Sequence, residues 1–392
     1  MTRTQQQRMK RRRQRRQSLF LAVVCALVLG LVFAVFSLTS GRYPGEGGGE
    51  SLAAETAGVT AEAPAVSLQE AERPEDLSLT LGLGGDVAFE AGRSAAFQTA
   101  GIASPWEGIR SFLERHDLNV VSLESPLCRG GSPNPDQPSL CLRGDISGAA
   151  SMAAAGVSAV CMANDHVMDY GARGLEETLN LLRGEKVGAC GAGSDRRAAG
   201  QPVMLKAPGG AGVALLAFND VGPGSYAAGE DSPGVNAVTT LEELGNAVSA
   251  AAAAAPYVVV YVHWGEANKK EISSRQREIA CVCARAGADL VVGCHPHFMQ
   301  GVEVVEGTPV IYSLGGLVYG TGSGAEGGLL ASCRFEDGYL RSVDLYPVRC
   351  GERGAVLLAD EEADEVLAGL VASSPGIGLR VSPGGSVRLE PR

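Results

Sequence analysis

Short apolar runs alternate with amphipathic stretches along most of the chain after Leu77. Runs rich in Val, Ile and Leu are typical of buried strands, and they occur at 79–83, 119–123, 159–162, 213–218, 257–262, 290–292, 310–313 and 340–346. Longer stretches with apolar residues at helical spacing occur at 106–116, 170–183, 240–254 and 273–286. Because strands and helices alternate, the pattern predicts an α/β fold with a mostly internal sheet.

The first 38 residues have a different pattern, a basic segment followed by an uncharged apolar one. Residues 1–17 contain eight Lys or Arg and no acid, which is typical of the cytoplasmic flank of a membrane span. Residues 19–38 carry no charge and are long enough to cross about 30 Å of hydrocarbon. A cleavable signal peptide has a shorter apolar region, so an uncleaved anchor is favoured over that alternative. The sequence therefore predicts a cytoplasmic segment over 1–17 and a single-pass transmembrane signal anchor over 18–38, with the main domain extracytoplasmic.

The rest of the chain divides by composition into three parts. Residues 39–76 are rich in Gly, Ala, Glu and Pro without an apolar period, which predicts a flexible acidic linker. We expect the main domain over 77–350. Residues 351–392 predict a C-terminal extension, a short acidic helix and a terminal hairpin, that packs on this domain.

Charge argues against one class of partner. The formal net charge is −11, and without the eight N-terminal cations 25 basic residues remain against 44 acidic ones, a net charge of −19. Such an acidic domain repels the phosphate backbone, so the sequence argues against nucleic acid as a partner.

Nine of the ten cysteines lie beyond the predicted anchor, where disulfides are chemically permitted. Cys128 and Cys141 flank a loop rich in Gly, Pro and Asn, and we expect them to pair. Cys333 and Cys350 bracket a predicted hairpin and are the second candidate pair, although spacing alone leaves the connectivity open.

Polar residues follow several of the predicted strands. They are Asp86, Glu124, Asn164, Asp165, His166, His263, His295 and His297. In open α/β sheets, ligands bind beyond the carboxyl ends of strands, so these side chains are expected to converge on one crevice. Carboxylates and imidazoles together suit Zn, Mn or Fe, and a metal pair about 3.5–4 Å apart polarises phosphoryl oxygens and activates water.

Each of these residues also has an ordinary structural interpretation. His263 after an apolar strand is typical of a hydrogen-bonded core histidine, Asp86 of a turn or helix cap, and the His295-Pro296-His297 segment of a polar turn. His116, the remaining histidine, is expected to be a solvated surface residue. The metal hypothesis therefore depends on the residues acting together.

Their order and local sequence resemble one family. The segments that carry the resemblance are GGDVAFE (84–90), NVVSLESPL (119–127), CMANDHVMDYGARGLEETLNLL (161–182), VHWGE (262–266), AGADLVVGCHPHFMQGVE (286–303) and IYSLGGLVYG (311–320). Over 79–346 the chain resembles the CapA-type capsule-synthesis proteins associated with poly-γ-glutamate, whose domain looks like the calcineurin-type metallophosphoesterases. The resemblance implies a layered α/β sandwich with mixed sheets.

The resemblance also implies roles for the strand-end residues. The implied metal ligands are Asp86, Glu124, Asp165, His263, His295 and His297. His166 would protonate a leaving group and Asp169 would orient it, as a carboxylate does when it fixes an imidazole tautomer. Asn164 and Trp264 are candidate substrate contacts. The implied cofactor is one or two divalent ions, of Mn, Zn, Fe or Mg.

Four positions depart from the family pattern. Asp165 stands where a second asparagine is usual, Gly316 where another asparagine is usual, and Cys294 where His or Ser is common. Ala88 replaces the histidine that phosphoesterases place two residues after the first aspartate. With these departures, the set of strand-end residues supports metal binding more firmly than catalysis.

Three functional hypotheses follow. The first is a membrane-anchored protein that acts in synthesis, export or attachment of an anionic surface polymer such as poly-γ-glutamate, together with membrane subunits of a polymer synthase. The second is a metal-dependent hydrolase acting on an envelope phosphate ester. The third is a catalytically silent scaffold that binds polymer.

Overall fold

Two mixed β-sheets pack face to face, and helices cover their outer faces. The structure is a computed structural model that describes residues 77–89, 101–136, 141–319, 327–351, 354–382 and 385–390. These residues all belong to one compact unit, Gln69–Arg392. The predicted cytoplasmic segment, anchor and linker lie outside the described residues. Within the described residues, no helix is both long and apolar enough to cross a membrane.

The first sheet has ten strands. They are β1 (Leu79–Val87), β2 (Leu118–Leu123), β3 (Ala159–Cys161), β4 (Gly188–Cys190), β13 (Gly316–Val318), β14 (Gly328–Glu336), β15 (Tyr339–Gly351), β16 (Gly354–Leu357), β17 (Arg380–Ser382) and β18 (Ser386–Leu389). The order is β17-β18-β15-β14-β1-β2-β3-β4, with β13 beside β1 and β16 beside β15. Strands β1 to β4 pair in parallel, whereas β14 joins β1 antiparallel.

The second sheet has six strands. They are β6 (Val203–Lys206), β7 (Gly212–Asn219), β9 (Tyr257–His263), β10 (Leu290–Cys294), β11 (Val302–Val305) and β12 (Thr308–Ile311), in the order β11-β12-β10-β9-β7-β6. Strands β7, β9, β10 and β12 are parallel, and the two edge strands are antiparallel. Two further short strands, β5 (Ala192–Gly193) and β8 (Gly234–Val235), form a separate pair.

Seven α-helices occur in the described residues. They are α1 (Arg110–Leu113), α2 (Gly148–Ala154), α3 (Gly171–Gly184), α4 (Arg196–Gly200), α5 (Leu241–Ala254), α6 (Ser274–Ala286) and α7 (Asp360–Ala372). Helix α6 begins at a capping box, in which the Ser273 and Gln276 side chains bind each other's backbone N–H. It ends at Gly287, whose φ of 110° favours glycine.

Alternation along the strands explains the layers. In β9, Tyr257, Val259 and Tyr261 face the core between the two sheets, while Val258, Val260 and Val262 face a second core under α5 and α6. The first sheet has a corresponding outer core against α2 and α3. Fully burying one Val or Leu side chain contributes about 1.5–3 kcal/mol, so three such cores hold the four layers together. The predicted layered α/β sandwich with mixed sheets is therefore observed.

Most predicted elements are present with bounds that differ by one to a few residues, but residues 106–116 do not form one helix. The chain instead has a 3-10 turn, Ser104–Trp106, followed by the short α1. Between them Gly108 forms a β-bridge with Val356, so its backbone is not available for helical hydrogen bonds. The acidic helix and terminal hairpin predicted after Gly351 are observed as α7 and β17–β18, and β18 pairs with β15.

Both predicted disulfides are wrong, because neither Cys128 and Cys141 nor Cys333 and Cys350 are bonded to each other. In the β14–β15 hairpin, Cys333 pairs with Val343, whereas Cys350 lies opposite Ala355 of the next strand. Cys141 Sγ contacts the carbonyls of Asn134 and Asp169, away from the buried Cys128.

Candidate metal centre

The two sheets contribute different ligand types to one site at the carboxyl ends of their parallel strands. Asp86 lies in β1, Glu124 directly follows β2, and Asp165 lies in the loop after β3. The imidazoles come from the second sheet: His263 ends β9, and His295 and His297 follow β10. The predicted convergence of these six side chains is observed, with three carboxylates from one sheet meeting three imidazoles from the other.

Four of these residues form what we call the four-ligand cluster, Glu124, Asp165, His263 and His295. One candidate ligand atom of each lies within 4.8 Å of the others, and all four residues are poorly exposed. His263 Nε2 lies 2.9 Å from Asp165 Oδ1, 3.5 Å from Glu124 Oε1 and 3.2 Å from His295 Nδ1. Two imidazole nitrogens and two carboxylates therefore point at the same small volume.

The three-ligand cluster consists of Asp86, Glu124 and His297, and it meets the same 4.8 Å criterion. His297 Nδ1 lies 3.2 Å from Asp86 Oδ2, and its Nε2 lies 3.8 Å from Glu124 Oε1. Glu124 belongs to both clusters. It is therefore placed to bridge two neighbouring ions.

Unsatisfied buried atoms indicate that these residues fit a metal. Asp86 Oδ1 and His263 Nδ1 are buried without a hydrogen-bond partner. The buried Glu124 carboxylate faces the Tyr319 hydroxyl and the imidazoles of His263 and His297. Leaving a buried polar atom unpaired costs about 1–3 kcal/mol, and more for a charged group. In the described part of the chain, only histidines form ion pairs with Asp86 and Glu124. Divalent cations would satisfy both the oxygens and the negative charge.

The pKa shifts agree with a site that lacks enough positive charge. Burial raises the pKa of Glu124 well above its usual value, and the neighbouring Asp86 carboxylate raises it further. Burial also opposes ionisation of Asp165, but hydrogen bonds from His263 and His295 outweigh it and lower the pKa. Burial lowers the pKa of His263, which favours the neutral imidazole that binds metals.

His166 lies beside the four-ligand cluster and is tied to Asp169 as the resemblance implied. Its Nδ1 lies 2.8 Å from Asp169 Oδ2, and its Nε2 lies 3.9 Å from Asp165 Oδ2. Burial works against protonation, but the hydrogen bond to Asp169 and the charges of Asp165 and Glu124 raise the pKa to about 9. His166 is therefore protonated at neutral pH and directs Nε2 toward the clusters.

Asp169 has two further donors that the sequence did not indicate. The Tyr226 hydroxyl donates to Oδ1 at 2.9 Å, and the Leu142 backbone N–H donates to Oδ2 at 2.6 Å. Tyr226 lies in a 3-10 turn, Gly224–Tyr226, outside every segment that carries the resemblance. No residue pattern marked it, because the contact joins positions 57 residues apart.

The turn after β10 holds its two histidines in an uncommon conformation. His295 has a φ of 95° and His297 a φ of 59°, a region that side chains other than glycine rarely adopt. Residues in such conformations cost about 1–3 kcal/mol and cluster at functional sites. The His295 backbone N–H also points to Asp86 Oδ2 at 3.3 Å, which joins this turn to the first sheet.

Both predicted substrate contacts, Trp264 and Asn164, are buried side chains. Trp264 is fully buried, stacks on Tyr312 and donates its indole N–H to the Tyr312 carbonyl at 2.8 Å. The Asn164 side chain is also buried and binds only backbone, donating to Leu123 O and accepting from the N–H groups of His166 and Val167. Trp264 is a core residue, and Asn164 shapes the loop that carries Asp165 and His166.

His116 is not the solvated surface residue that the sequence predicted. Its Nδ1 lies 2.7 Å from the Phe112 carbonyl, its Nε2 lies 2.7 Å from Ser332 Oγ, and its ring packs on Phe112. Burial lowers its pKa to about 4. It is a neutral structural histidine that joins α1 to the first sheet.

Two departures from the family pattern lie next to Asp86. Ala88 is fully buried and donates its N–H to Val318 O at 2.7 Å. Gly316 is the register partner of Asp86 across the β1–β13 pair. Both positions therefore lack a ligating side chain on the side of the three-ligand cluster.

The chain is similar to curated capsule proteins and to a solved structure. One curated relative is the PGA biosynthesis protein CapA of Bacillus subtilis, which is 36% identical over 41% of this chain and 42% of the relative. Another is the capsule biosynthesis protein CapA of Bacillus anthracis, which is 32% identical over 43% of this chain and 41% of the relative. The alignments thus span about two fifths of these relatives. A solved Staphylococcus aureus structure, described as a 5′-nucleotidase in complex with alpha-ketoglutarate, has a TM-score of 0.44 and 12% identity over 75% of this chain and 58% of its own.

The strongest assignment comes from a family model. The model described as bacterial capsule synthesis protein PGA_cap matches residues 80–321, which include both ligand clusters, His166 and Asp169. The matched region covers more than half of the chain. The chain therefore belongs to the bacterial capsule synthesis protein PGA_cap family.

Proposed function

We propose that this protein is a membrane-anchored, extracytoplasmic, metal-dependent hydrolase that acts in the synthesis, export or attachment of an anionic capsule polymer. The observation that carries the proposal is the pair of ligand clusters that share Glu124, with His166 hydrogen-bonded to Asp169 beside them. Membership of a capsule synthesis family supports the biological setting. The basic segment and uncharged run before residue 39 support the anchor and its orientation.

The chemistry divides between the ligand clusters and His166. Divalent ions held by the six ligands would polarise a phosphoryl or acyl oxygen of the substrate and lower the pKa of water. His166 donates the Nε2 proton to the leaving group, the oxygen of a phosphate ester or the nitrogen of an amide, since its Nδ1 is engaged with Asp169. Asp169 keeps this tautomer, and Tyr226 and the Leu142 N–H keep Asp169 oriented.

The proposed substrate is an anionic polymer such as poly-γ-glutamate, or a phosphate ester attached to it. The names of the CapA relatives support this class, because they refer to PGA and capsule biosynthesis. Membrane subunits of a polymer synthase are the proposed protein partners. A metallophosphoesterase-like arrangement of the two sheets is part of the proposal, supported by ligands at the carboxyl ends of parallel strands.

Elemental analysis and hydrolysis on the same samples test the proposal. The full chain, purified in mild detergent, is expected to bind a divalent ion and to hydrolyse an aryl phosphate. His295→Ala should weaken metal binding by at least about tenfold and lose hydrolysis, whereas His116→Gln replaces the histidine that joins α1 to the first sheet and should keep both. Full hydrolysis by His295→Ala, or a wild-type protein that binds no divalent metal, would overturn the proposal.

A catalytically silent scaffold is the second candidate, and the side chains missing at Ala88 and Gly316 favour it. Cells that lack the gene are expected to lose surface polymer under either proposal. When a gene is returned to these cells, only the scaffold hypothesis predicts that the His295→Ala gene restores the polymer as well as the wild-type gene does.

A further inference from the structure

Three arginines from separate segments meet at one turn of this acidic protein. The turn is Gly130–Gly131, directly after Arg129. Arg143 donates from Nη1 to the Arg129 carbonyl at 3.1 Å and from Nη2 to the Gly131 carbonyl at 3.5 Å. A side chain at Gly130 would overlap Arg173 Nε, so the Arg173 guanidinium lies over this glycine. We call Arg129, Arg143 and Arg173 the arginine patch.

The arginine patch has more positive charge than its surroundings neutralise. Within the described residues, none of the three arginines has a carboxylate at ion-pair distance, whereas Arg275 pairs with two carboxylates and Arg388 with one. The nearby Glu177 accepts the backbone N–H groups of Arg129 and Gly130, at 3.1 and 3.0 Å, and its charge attracts Arg173 and Arg129. One carboxylate therefore lies beside three positive charges. Clustered like charges repel each other, and a bound anion would relieve that repulsion.

Arg143 is the most firmly held member of the patch. Its guanidinium lies 3.8 Å from the centre of the Tyr170 ring, and its Nε is buried without a hydrogen-bond partner. Gly131 of the turn packs directly against Tyr170. It has a φ of 85°, and a side chain there would overlap the Tyr170 carbonyl. A planar guanidinium held on an aromatic ring loses little entropy when it binds a carboxylate.

The patch is also attached to the proposed catalytic pair. Tyr170 directly follows Asp169, the Leu142 N–H beside Arg143 binds the Asp169 carboxylate, and Asp169 binds His166. An anion on the patch would therefore lie near the segment that positions the proposed acid. Three guanidinium groups from separate segments suit an extended ligand with several carboxylates better than a single small anion.

We propose that the arginine patch binds the carboxylates of the anionic polymer and guides the chain toward the metal centre. This inference rests on the proposed function for its substrate class. The electrostatic attraction should also weaken as salt concentration rises.

Polymer binding by single-arginine variants tests the inference. The full chain in mild detergent is titrated into a labelled γ-linked glutamate oligomer, and fluorescence anisotropy gives Kd. Arg173→Gln and Arg143→Gln are each expected to raise Kd about tenfold. Arg183→Gln, a control on the same helix whose guanidinium binds Asn180, should change Kd less than about twofold.

Arg173→Gln decides the outcome if Arg143→Gln disturbs the turn, because Arg173 donates no hydrogen bond to a described residue. An Arg173→Gln protein that binds the oligomer as the Arg183→Gln control does would overturn the inference. Displacement of the oligomer by an equal concentration of inorganic phosphate would also overturn it, since it would indicate a phosphate site.

Metal content of the same samples separates this inference from the proposed function. A metal-free wild type whose polymer binding still depends on Arg173 would contradict the hydrolase and support the arginine patch. A metal-loaded, hydrolytically active wild type with no dependence on Arg173 or Arg143 would contradict the patch alone.

Discussion

The two ligand clusters share Glu124 but differ in the donors around it. The four-ligand cluster adds Asp165, His263 and His295, whereas the three-ligand cluster adds only Asp86 and His297. Ala88 and Gly316, which carry no ligating group, lie on the side of the smaller cluster. Affinity rises with the number of donors, so the comparison suggests one tightly held ion and one weakly held ion joined by a common carboxylate.

Glu124→Gln is expected to have the largest effect, because it removes the residue that both clusters share. Metal content should fall at both positions, and hydrolysis should fall by more than about 100-fold. The metal-free variant should be more stable than the metal-free wild type at neutral pH, by about 1–3 kcal/mol, because burial and Asp86 disfavour a charge at Glu124 and the amide cannot ionise. Urea unfolding in chelator measures this difference. Unchanged metal binding in Glu124→Gln would contradict the bridging position.

His166→Asn should separate the proposed acid from the ligands. We expect kcat on an aryl phosphate to fall by about 10²–10⁴ while metal content stays at the wild-type level. Asp169→Asn should have a smaller effect, about 10–100-fold, because it alters only the orientation of His166. Elemental analysis is the control, and loss of metal in His166→Asn would show that this histidine is a ligand.

Paired histidine variants compare the clusters directly. His295→Ala leaves three donors in the larger cluster, and His297→Ala leaves two in the smaller one. We expect His295→Ala to weaken the tighter ion by at least about tenfold, and His297→Ala to abolish the weaker ion while the tighter one remains. Chelator competition gives both affinities. If both variants lowered the affinity of a single class of metal site by the same factor, the two clusters would not be distinct sites.

The smallest effect is expected for His116→Gln, which should change only how the free energy of unfolding depends on acidic pH. Its folded pKa of about 4 lies below the ordinary value of 6.5, so the unfolded chain binds the proton more readily. Its contribution to stability is present above pH 6.5 and is lost as the pH falls toward 4. Between pH 7 and pH 5 the loss is about 1–2 kcal/mol. His116→Gln should unfold in urea with a weaker dependence on acid than the wild type, both measured in chelator.

The sequence predicted the site better than it predicted what surrounds the site. Asp86, His263 and His295 follow apolar runs that predict buried strands. The carboxyl ends of neighbouring parallel strands lie at the same edge of a sheet, so these residues come together. By contrast, the Tyr226 contact with Asp169 depends on tertiary packing between distant segments. No local pattern records such a contact.

The errors have a similar physical origin. Trp264 follows His263 and has a polar group, but the Tyr312 carbonyl satisfies its indole N–H inside the core. His116 lies between charged residues, yet its ring faces Phe112 and Ser332. Cys333 and Cys350 flank one hairpin, but strand register separates them. In each case the structural neighbour of the residue is distant in sequence, so local sequence did not indicate it.

Titration of the metal-free full chain with Mn²⁺ or Zn²⁺ tests the central claim most directly. Calorimetry of the wild type should show two ions bound per chain with unequal affinity, and Glu124→Gln should weaken both. Failure to bind either cation, or a single class of site that Glu124→Gln leaves unchanged, would contradict a two-ion centre built around Glu124.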